Sequence, residues 1–343
     1  MKQNDYDTIF ASSNQYKSAI KIIRISGNDA KKIPSIFNFK RPKPRTFELK
    51  KLTFKNKTID HAPVIWLPKK KSFTGEDTFE IYIHGSLIIE HIIYKILSSY
   101  KNFRLAEPGE FTKRATINGN IDLLQAESIN DIINSQTEKQ LELAQSQLEG
   151  SLSKVVNNWR KELINLSSLI ESLIDFTDED IPKETTANFF CKLKIIIKEI
   201  KLSLNSAKLS SFIKEGFVVP IIGKPNVGKS SLINALTKLE TSIVSDLPGT
   251  TRDVIQQKVN LKGLPVIFYD TAGIRKTKDK VEKRGIELTT NIVKKSNLIL
   301  YLSDKGCFNH DYIKKSINNF KEKNFINVRT KIDINENTCK KAD

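Results

Sequence analysis

Apolar residues follow three rhythms along this chain, and each predicts a different architecture. Over roughly the first 118 residues, short apolar runs at 20–25, 64–66 and 79–83 alternate with turn-forming punctuation, and one helically spaced run covers 87–97. Short runs predict strands, and their mixture with a helix predicts an α+β domain. The basic stretch 40–51, which carries Pro42 and Pro44, predicts a loop or hairpin connection. As a charge run it reads better as solvated surface than as a nucleic-acid site.

From 121 to 174 there is no proline, and only Gly150 interrupts residues that suit helices. Leu152, Val155, Trp159, Leu163, Leu166, Ile170 and Leu173 recur at spacings of three and four, the seam of an amphipathic helix. Such a stripe reads as core or interface rather than as a ligand site. The acidic stretch 175–182, closed by Pro182, predicts the helix stop, and a second helical pattern covers 189–209. From Phe217 onward the rhythm changes to apolar runs at 217–222, 266–269, 298–302 and 326–328 separated by helical segments. That alternation predicts an α/β sheet with parallel strands.

A chain of 343 residues suggests two or three domains, and with 39% hydrophobic residues it can bury real cores, which excludes collagen-like, mucin-like and wholly disordered readings. The net charge of +17 favours a polyanionic partner, nucleic acid first, about as well as it suits lysine-rich solvated faces. Cys191, Cys307 and Cys339 form no CxxC pair, so neither a disulfide framework nor a zinc ribbon is predicted and the expected compartment is reducing. The N-terminus lacks the apolar core of a signal peptide, and no apolar run reaches about 18 residues. A soluble, cytoplasmic protein without a membrane association is expected.

The chemistry concentrates after residue 217. Gly223-Lys-Pro-Asn-Val-Gly-Lys-Ser230 matches GxxxxGK[ST] at every fixed position, with a predicted strand before it and a predicted helix, 231–237, after it. Glycines let main-chain N–H groups wrap phosphates, the helix N-terminus adds positive charge, Lys229 reaches the β and γ phosphates, and Ser230 offers a hydroxyl to Mg²⁺. Pro248-Gly-Thr-Thr-Arg-Asp253 supplies Thr251 as a second Mg²⁺ hydroxyl in a γ-phosphate-sensing switch. Asp270-Thr-Ala-Gly273 follows a predicted strand, so that Asp270 can serve Mg²⁺ and Gly273 can offer its N–H to the γ-phosphate. Thr330-Lys-Ile-Asp333 resembles the guanine-reading N-K-x-D element, with Asp333 accepting from the base, Lys331 along its face, and threonine where asparagine is usual. Ile274 stands where a water-orienting glutamine often follows such a strand end, so water must be positioned otherwise. Asn226, through a monovalent cation, and Glu282 are the candidates.

Further signatures lie outside these elements. Ile22-Ile-Arg-Ile-Ser-Gly27, Thr74-Gly-Glu-Asp77 with Glu80 and His84-Gly85, Pro108-Gly-Glu-Phe-Thr-Lys-Arg-Ala115, Asn118-Gly119, Asp122-Leu-Leu-Gln-Ala-Glu127, Gln147-Leu-Glu-Gly150 and Ile174-Asp-Phe176 belong to this set. So does Glu179-Asp-Ile-Pro182. Together with the nucleotide elements they make the chain resemble the MnmE (TrmE) tRNA-modification GTPases over most of residues 1–333. The resemblance implies a multidomain α/β protein. It would comprise an α+β tetrahydrofolate-binding and dimerising domain (1–118), the first half of a helical domain (119–211), and a P-loop GTPase domain with a mostly parallel sheet (212–343). It further implies a homodimer that acts on tRNA with a flavin-dependent partner of the MnmG type. That assembly adds an aminomethyl or carboxymethylaminomethyl group to the wobble uridine, with GTP, Mg²⁺, K⁺ and 5-formyl-tetrahydrofolate as cofactors.

Carried over by position, the resemblance implies GTP contacts at Asn226, Val227, Gly228, Lys229, Ser230, Ser231, Ser245, Asp246, Leu247, Pro248, Gly249, Thr250 and Thr251. It extends them to Asp270, Thr271, Ala272, Gly273, Thr330, Lys331 and Asp333. K⁺ would lie among Asn226, Ser245, Leu247 and Thr250, Mg²⁺ would be held by Ser230 and Thr251, and Glu282 would orient water, with Asn226 and Lys229 completing the catalytic set. Folate would meet Arg24, Glu80 and position 120, which is Asn120 here where many members carry lysine. After Asp333 the expected final strand, Ser-Ala element and closing helix of a G domain are not found, so a C-terminally truncated G domain is expected, with the Leu152–Leu173 stripe partly uncovered. Two other readings share part of the pattern: a ribosome-assembly GTPase, which leaves the N-terminal signatures unexplained, and a non-hydrolysing fragment that binds folate or a partner.

Overall fold

The computed structural model describes residues 7–14, 16–175, 183–239, 256–270, 292–296, 298–306 and 324–333. The chain divides into two compact units, Met1–Glu127 and Ser128–Asp343.

The first unit is built on a six-stranded sheet. Its strands are β1 (Thr8–Ser12), β2 (Ile20–Ser26), β3 (Glu48–Phe54), β4 (Lys57–Leu67), β5 (Thr78–His84) and β6 (Phe103–Leu105), in the spatial order β3-β4-β5-β2-β1-β6. All neighbours are antiparallel except β1 and β6. Helices α1 (Ile33–Ile36), α2 (Leu87–Ser98) and α3 (Glu110–Ile117) complete it. Alternation along the strands sends Phe10, Ile23, Ile25, Val64, Phe79 and Ile81 into one core with Ile33 and Phe37 of the α1 segment and Ile93 and Leu97 of α2. Side chains of the opposite parity, Arg24 and Glu80 among them, therefore belong to the other face.

Lys21 breaks the apolar pattern. Its register puts it on the core side of β2, where it is fully buried, and its ammonium donates to Glu90 of α2 at 2.6 Å. Burial pushes the Glu90 carboxyl up, but the bonds from Lys21, Ser12 and Tyr94 outweigh it and hold the group below its ordinary range. A buried ammonium without that carboxylate would cost several kcal/mol, roughly.

A partly buried ion network links the 104–114 segment to the 74–76 loop and β2. The Arg104 guanidinium donates to both Glu110 oxygens at 2.9 and 2.6 Å, Arg114 donates to Glu110 at 3.1 Å and to Glu76, and Ser26 Oγ meets Thr74 Oγ1 at 2.7 Å and Glu76 at 2.8 Å. The Thr-Gly-Glu-Asp and Pro-Gly-Glu-Phe-Thr-Lys-Arg signatures thus meet in one structural cluster.

A run of helices follows, beginning just before the boundary between the units. The run from 121 to 174 resolves into α4 (Leu123–Asn134), α5 (Glu138–Leu148) and α6 (Ser151–Asp175), and α7 (Lys183–Glu215) extends well beyond the predicted 189–209. A capping box opens α5: the Thr137 hydroxyl accepts from the Gln140 N–H at 3.3 Å and the Gln140 side chain accepts from the Thr137 N–H at 3.1 Å. Gly150, with φ +80°, separates α5 from α6. Trp159 of α6 donates to Glu199 of α7 at 2.9 Å. Along the α6 stripe Leu166 is buried, whereas Val155, Leu163 and Ile170 are 40–43% exposed. Among its described residues the seam is only partly covered.

A five-stranded sheet follows. It consists of β7 (Phe217–Gly223), β8 (Gln256–Leu261), β9 (Leu264–Asp270), β10 (Leu298–Ser303) and β11 (Asn324–Arg329), in the order β11-β10-β7-β9-β8. Only β8 runs antiparallel, to β9. Val219, Ile221, Val266, Phe268 and Leu302 pack with Ile233 of α8 (Lys229–Leu239) to form its core. The structure differs from the sequence reading in these details: α8 starts at Lys229 rather than at 231, β1, β3, β6, β8, α1 and α3 were not predicted, and β3 begins at Glu48, inside the stretch read as a connection.

Candidate functional site

The parallel strands of the second sheet end on the same side, and three of those ends, β7, β9 and β11, carry the predicted nucleotide chemistry. Gly223 closes β7, Asp270 closes β9, Ser303 closes β10, and Thr330 follows the last residue of β11. In an open α/β sheet the crevice at the carboxyl ends of the strands is where ligands bind.

Each loop position has a steric reason. A Cβ on Gly223 would lie 2.6 Å from the Leu302 carbonyl oxygen and 2.9 Å from Val227 Cγ2, so only glycine lets the loop leave β7 against β10. Asn226 has φ +61° and Gly228 φ +94°, left-handed conformations that turn the chain back toward α8. Val227 is buried and anchors the loop, while Asn226 is exposed.

Lys229 is 4% exposed, and its ammonium donates to the Gly223 and Lys224 carbonyls at 2.8 and 2.7 Å. The loop thus holds its cation among its own carbonyls, at the point where phosphate oxygens could replace them. The Ser230 hydroxyl donates to Asp270 Oδ2 at 3.1 Å. A hydroxyl and a carboxylate are hard oxygen ligands, and an oxygen pair of this kind suits Mg²⁺. Thr330 reaches back to the loop: its hydroxyl donates to the Val227 carbonyl at 2.5 Å and its N–H to the Ser303 carbonyl at 3.0 Å. Lys331 and Asp333 follow, and both are exposed.

Asn226, Val227, Gly228, Lys229, Ser230, Ser231, Asp270, Thr330, Lys331 and Asp333 therefore lie on described elements of one sheet edge or the loops leaving it. Ser245, Asp246, Leu247, Pro248, Gly249, Thr250, Thr251, Thr271, Ala272, Gly273 and Glu282 lie outside the described residues.

The first unit carries the second predicted constellation. The β2–β5 register sets Arg24 directly opposite Glu80, and the guanidinium Nε donates to Glu80 Oε1 at 2.7 Å. Tyr82 Oη donates to the other carboxylate oxygen at 2.9 Å. Burial, and then the neighbouring Glu80 carboxylate, raise the Tyr82 phenol above its ordinary range. The Arg24 guanidinium lies 5.8 Å from the Phe73 ring centroid and 5.7 Å from that of Phe111, distances at which a cation is attracted to the ring face.

Asn120 joins this group through the same loop, donating to the Ser72 and Phe73 carbonyls at 3.0 and 2.9 Å. Its amide nitrogen is thus engaged by main chain, and the side chain offers a ligand only its carbonyl oxygen. A planar cation, a carboxylate and two aromatic rings are groups that suit a flat, hydrogen-bonding heterocycle with an acidic tail. Phe73, Phe111 and Tyr82 were missed as site residues; Phe73 and Phe111 lie inside or beside quoted signatures, and only the pairing register shows what they surround.

Comparison with known proteins covers both units. Residues 8–120 match the model of the GTP-binding protein TrmE N-terminus, and residues 123–336 match that of the MnmE helical domain. The chain is 42% identical to the tRNA modification GTPase MnmE of Fervidobacterium nodosum over 346 aligned positions, covering 97% of this chain and 74% of that protein. It is 40% identical to the protein of that name from Pelagibacter ubique, over 95% of this chain and 74% of the relative. A Cereibacter sphaeroides relative of the same name is 38% identical, over 88% of this chain and 70% of the relative.

Proposed function

The chain belongs to the MnmE family of tRNA modification GTPases, and from that premise we propose that it binds and hydrolyses GTP in the service of wobble-uridine modification. The observation that carries the reading is the convergence of Gly223, Lys229, Ser230, Asp270 and Thr330 at the carboxyl edge of one parallel sheet. An Arg24–Glu80 site in the same chain supports a folate-linked role.

In this reading the main-chain N–H groups of 226–230 surround the phosphates, and the Lys229 ammonium exchanges two carbonyl partners for β- and γ-phosphate oxygens. Asp270 aims the Ser230 hydroxyl at the Mg²⁺ position, which Thr251 completes. Mg²⁺ and K⁺, when bound, neutralise charge on the phosphate oxygens. Asn226 is exposed on a left-handed turn, where its amide oxygen is free of the helix and can serve K⁺ beside the phosphates, with Ser245, Leu247 and Thr250. Glu282 orients the attacking water.

Glu80 takes hydrogen bonds from the amino-pyrimidine edge of 5-formyl-tetrahydrofolate, and Arg24, ion-paired to Glu80 at 2.7 Å, meets that same end of the molecule rather than its distant acidic tail. The working unit is a cytoplasmic homodimer with a flavin-dependent partner, and tRNA is the substrate. The domains run 1–118, 119–211 and 212–343.

The test is genetic and chemical. Deleting the gene should abolish the wobble-uridine modification while leaving ribosomal subunit profiles unchanged. Normal modification with defective subunits would favour a ribosome-assembly GTPase instead.

A further inference from the structure

We propose that Thr330 is a positioning residue whose hydroxyl is committed to the phosphate loop, so that this chain leaves the N7 side of guanine unread and distinguishes the base from its Watson–Crick edge through Asp333. The inference rests on the reading of 330–333 as the guanine-binding segment and specifies how that segment works here.

The direction of the Thr330–Val227 bond is fixed by chemistry. A main-chain carbonyl oxygen can only accept, so the proton in the 2.5 Å contact belongs to Thr330. A hydroxyl carries one proton, and what remains at that oxygen is lone pairs. The Thr330 N–H is engaged as well, by the Ser303 carbonyl at 3.0 Å. The side chain packs over the loop: a methyl added to Gly228 would meet Thr330 Cβ at 3.8 Å. Thr330 therefore holds the 227–228 main chain, which supplies phosphate-binding N–H groups, against the ends of β10 and β11.

Guanine presents two kinds of edge. The ring N–H and amino group donate, and a carboxylate such as Asp333 accepts from them. O6 and N7 are acceptors. With its proton given to Val227, Thr330 faces either of these with lone pairs against lone pairs and makes no bond. An asparagine amide carries two protons, and could satisfy the Val227 carbonyl with one while donating to the base with the other. The substitution thus keeps the tether and drops the base contact.

The test is displacement of a fluorescent GDP analogue from the full chain by GDP and by 7-deaza-GDP, in which a C–H replaces N7. The unaltered chain should bind the two with a Kd ratio near 1. Thr330→Val, which removes the hydroxyl at nearly constant shape, should weaken both by the same factor, about fivefold for one net hydrogen bond, and leave the ratio near 1. Thr330→Asn should raise the ratio to about five.

A ratio of about five in the unaltered chain that collapses in Thr330→Val would overturn the inference, because the hydroxyl would then be reading N7. So would a Thr330→Asn ratio that stays at 1. Failure of the chain to bind the fluorescent GDP at all would overturn the guanine-nucleotide reading itself, a result distinct from the other two.

Discussion

Ser230 and Asp270 meet at 3.1 Å although 40 residues separate them, a hydroxyl in the first turn of α8 donating to the carboxylate that closes β9. The contact links the helix that receives the phosphate loop to the neighbouring parallel strand, and it fixes which way the Ser230 lone pairs point. A cation at this edge would find its first hydroxyl already oriented.

Asp270→Asn keeps the shape and removes the charge that orients Ser230. The Mg²⁺ concentration giving half-maximal GTP hydrolysis should rise about 10- to 100-fold, the usual effect of losing an outer partner of a metal ligand. Titration of Mg²⁺ at saturating GTP measures it, and an unchanged requirement would show that Asp270 has no part in holding the ion.

Arg24→Ala should weaken binding of 5-formyl-tetrahydrofolate about 10- to 100-fold, the range of a lost charge-assisted hydrogen bond. Arg24→Lys should recover only part of that, because an ammonium keeps the charge but not the planar fork between Phe73 and Phe111. Equilibrium titration with the folate reads both variants. Equal affinity in all three chains would remove Arg24 from the site.

Acid stability should depend on the cluster around Glu110. Burial pushes this carboxyl up, but the Arg104 bonds, the Glu107 N–H and Arg114 outweigh it and bring the group from 4.5 down to about 2. The same contacts raise Arg104 above its ordinary value. Because the folded value is depressed, the stabilisation is complete above about pH 4.5 and is lost as pH falls toward 2. It amounts to at most ~3 kcal/mol. Glu110→Gln should lower stability against urea at pH 7, and the gap from the unaltered chain should close as pH falls through that window. A gap that does not change with pH would mean the cluster acts through packing alone.

The phosphate loop was legible because each of its positions carries its own chemistry, and local spacing is enough to state it. The same is true of the strand runs at 217–222 and 266–269, which appear as β7 and β9. Other features depend on partners far away in sequence. Lys21 interrupts an apolar strand, and nothing near it announces Glu90, 69 residues on. Arg24 and Glu80 could be named from signatures, but their 2.7 Å contact follows from the antiparallel register of β2 and β5, and a slip of one residue would have put them on opposite faces. β8, Gln256–Leu261, carries mostly polar residues at the sheet edge and lacks the apolar run that marks a strand. β3 was hidden by the charges of Glu48, Lys50 and Lys51, because an edge strand tolerates them. The Thr330–Val227 bond joins residues 103 apart and had no signal in the sequence beyond the departure from asparagine.

The most direct test of the account is multiple-turnover GTP hydrolysis by the purified chain with Mg²⁺, compared in K⁺ and in Na⁺ at equal ionic strength. The account predicts hydrolysis that requires Mg²⁺, is lost in Lys229→Ala, and is faster in K⁺ than in Na⁺, with Asn226→Ala removing the difference between the two salts. Hydrolysis that survives Lys229→Ala, or none in either salt, would contradict it.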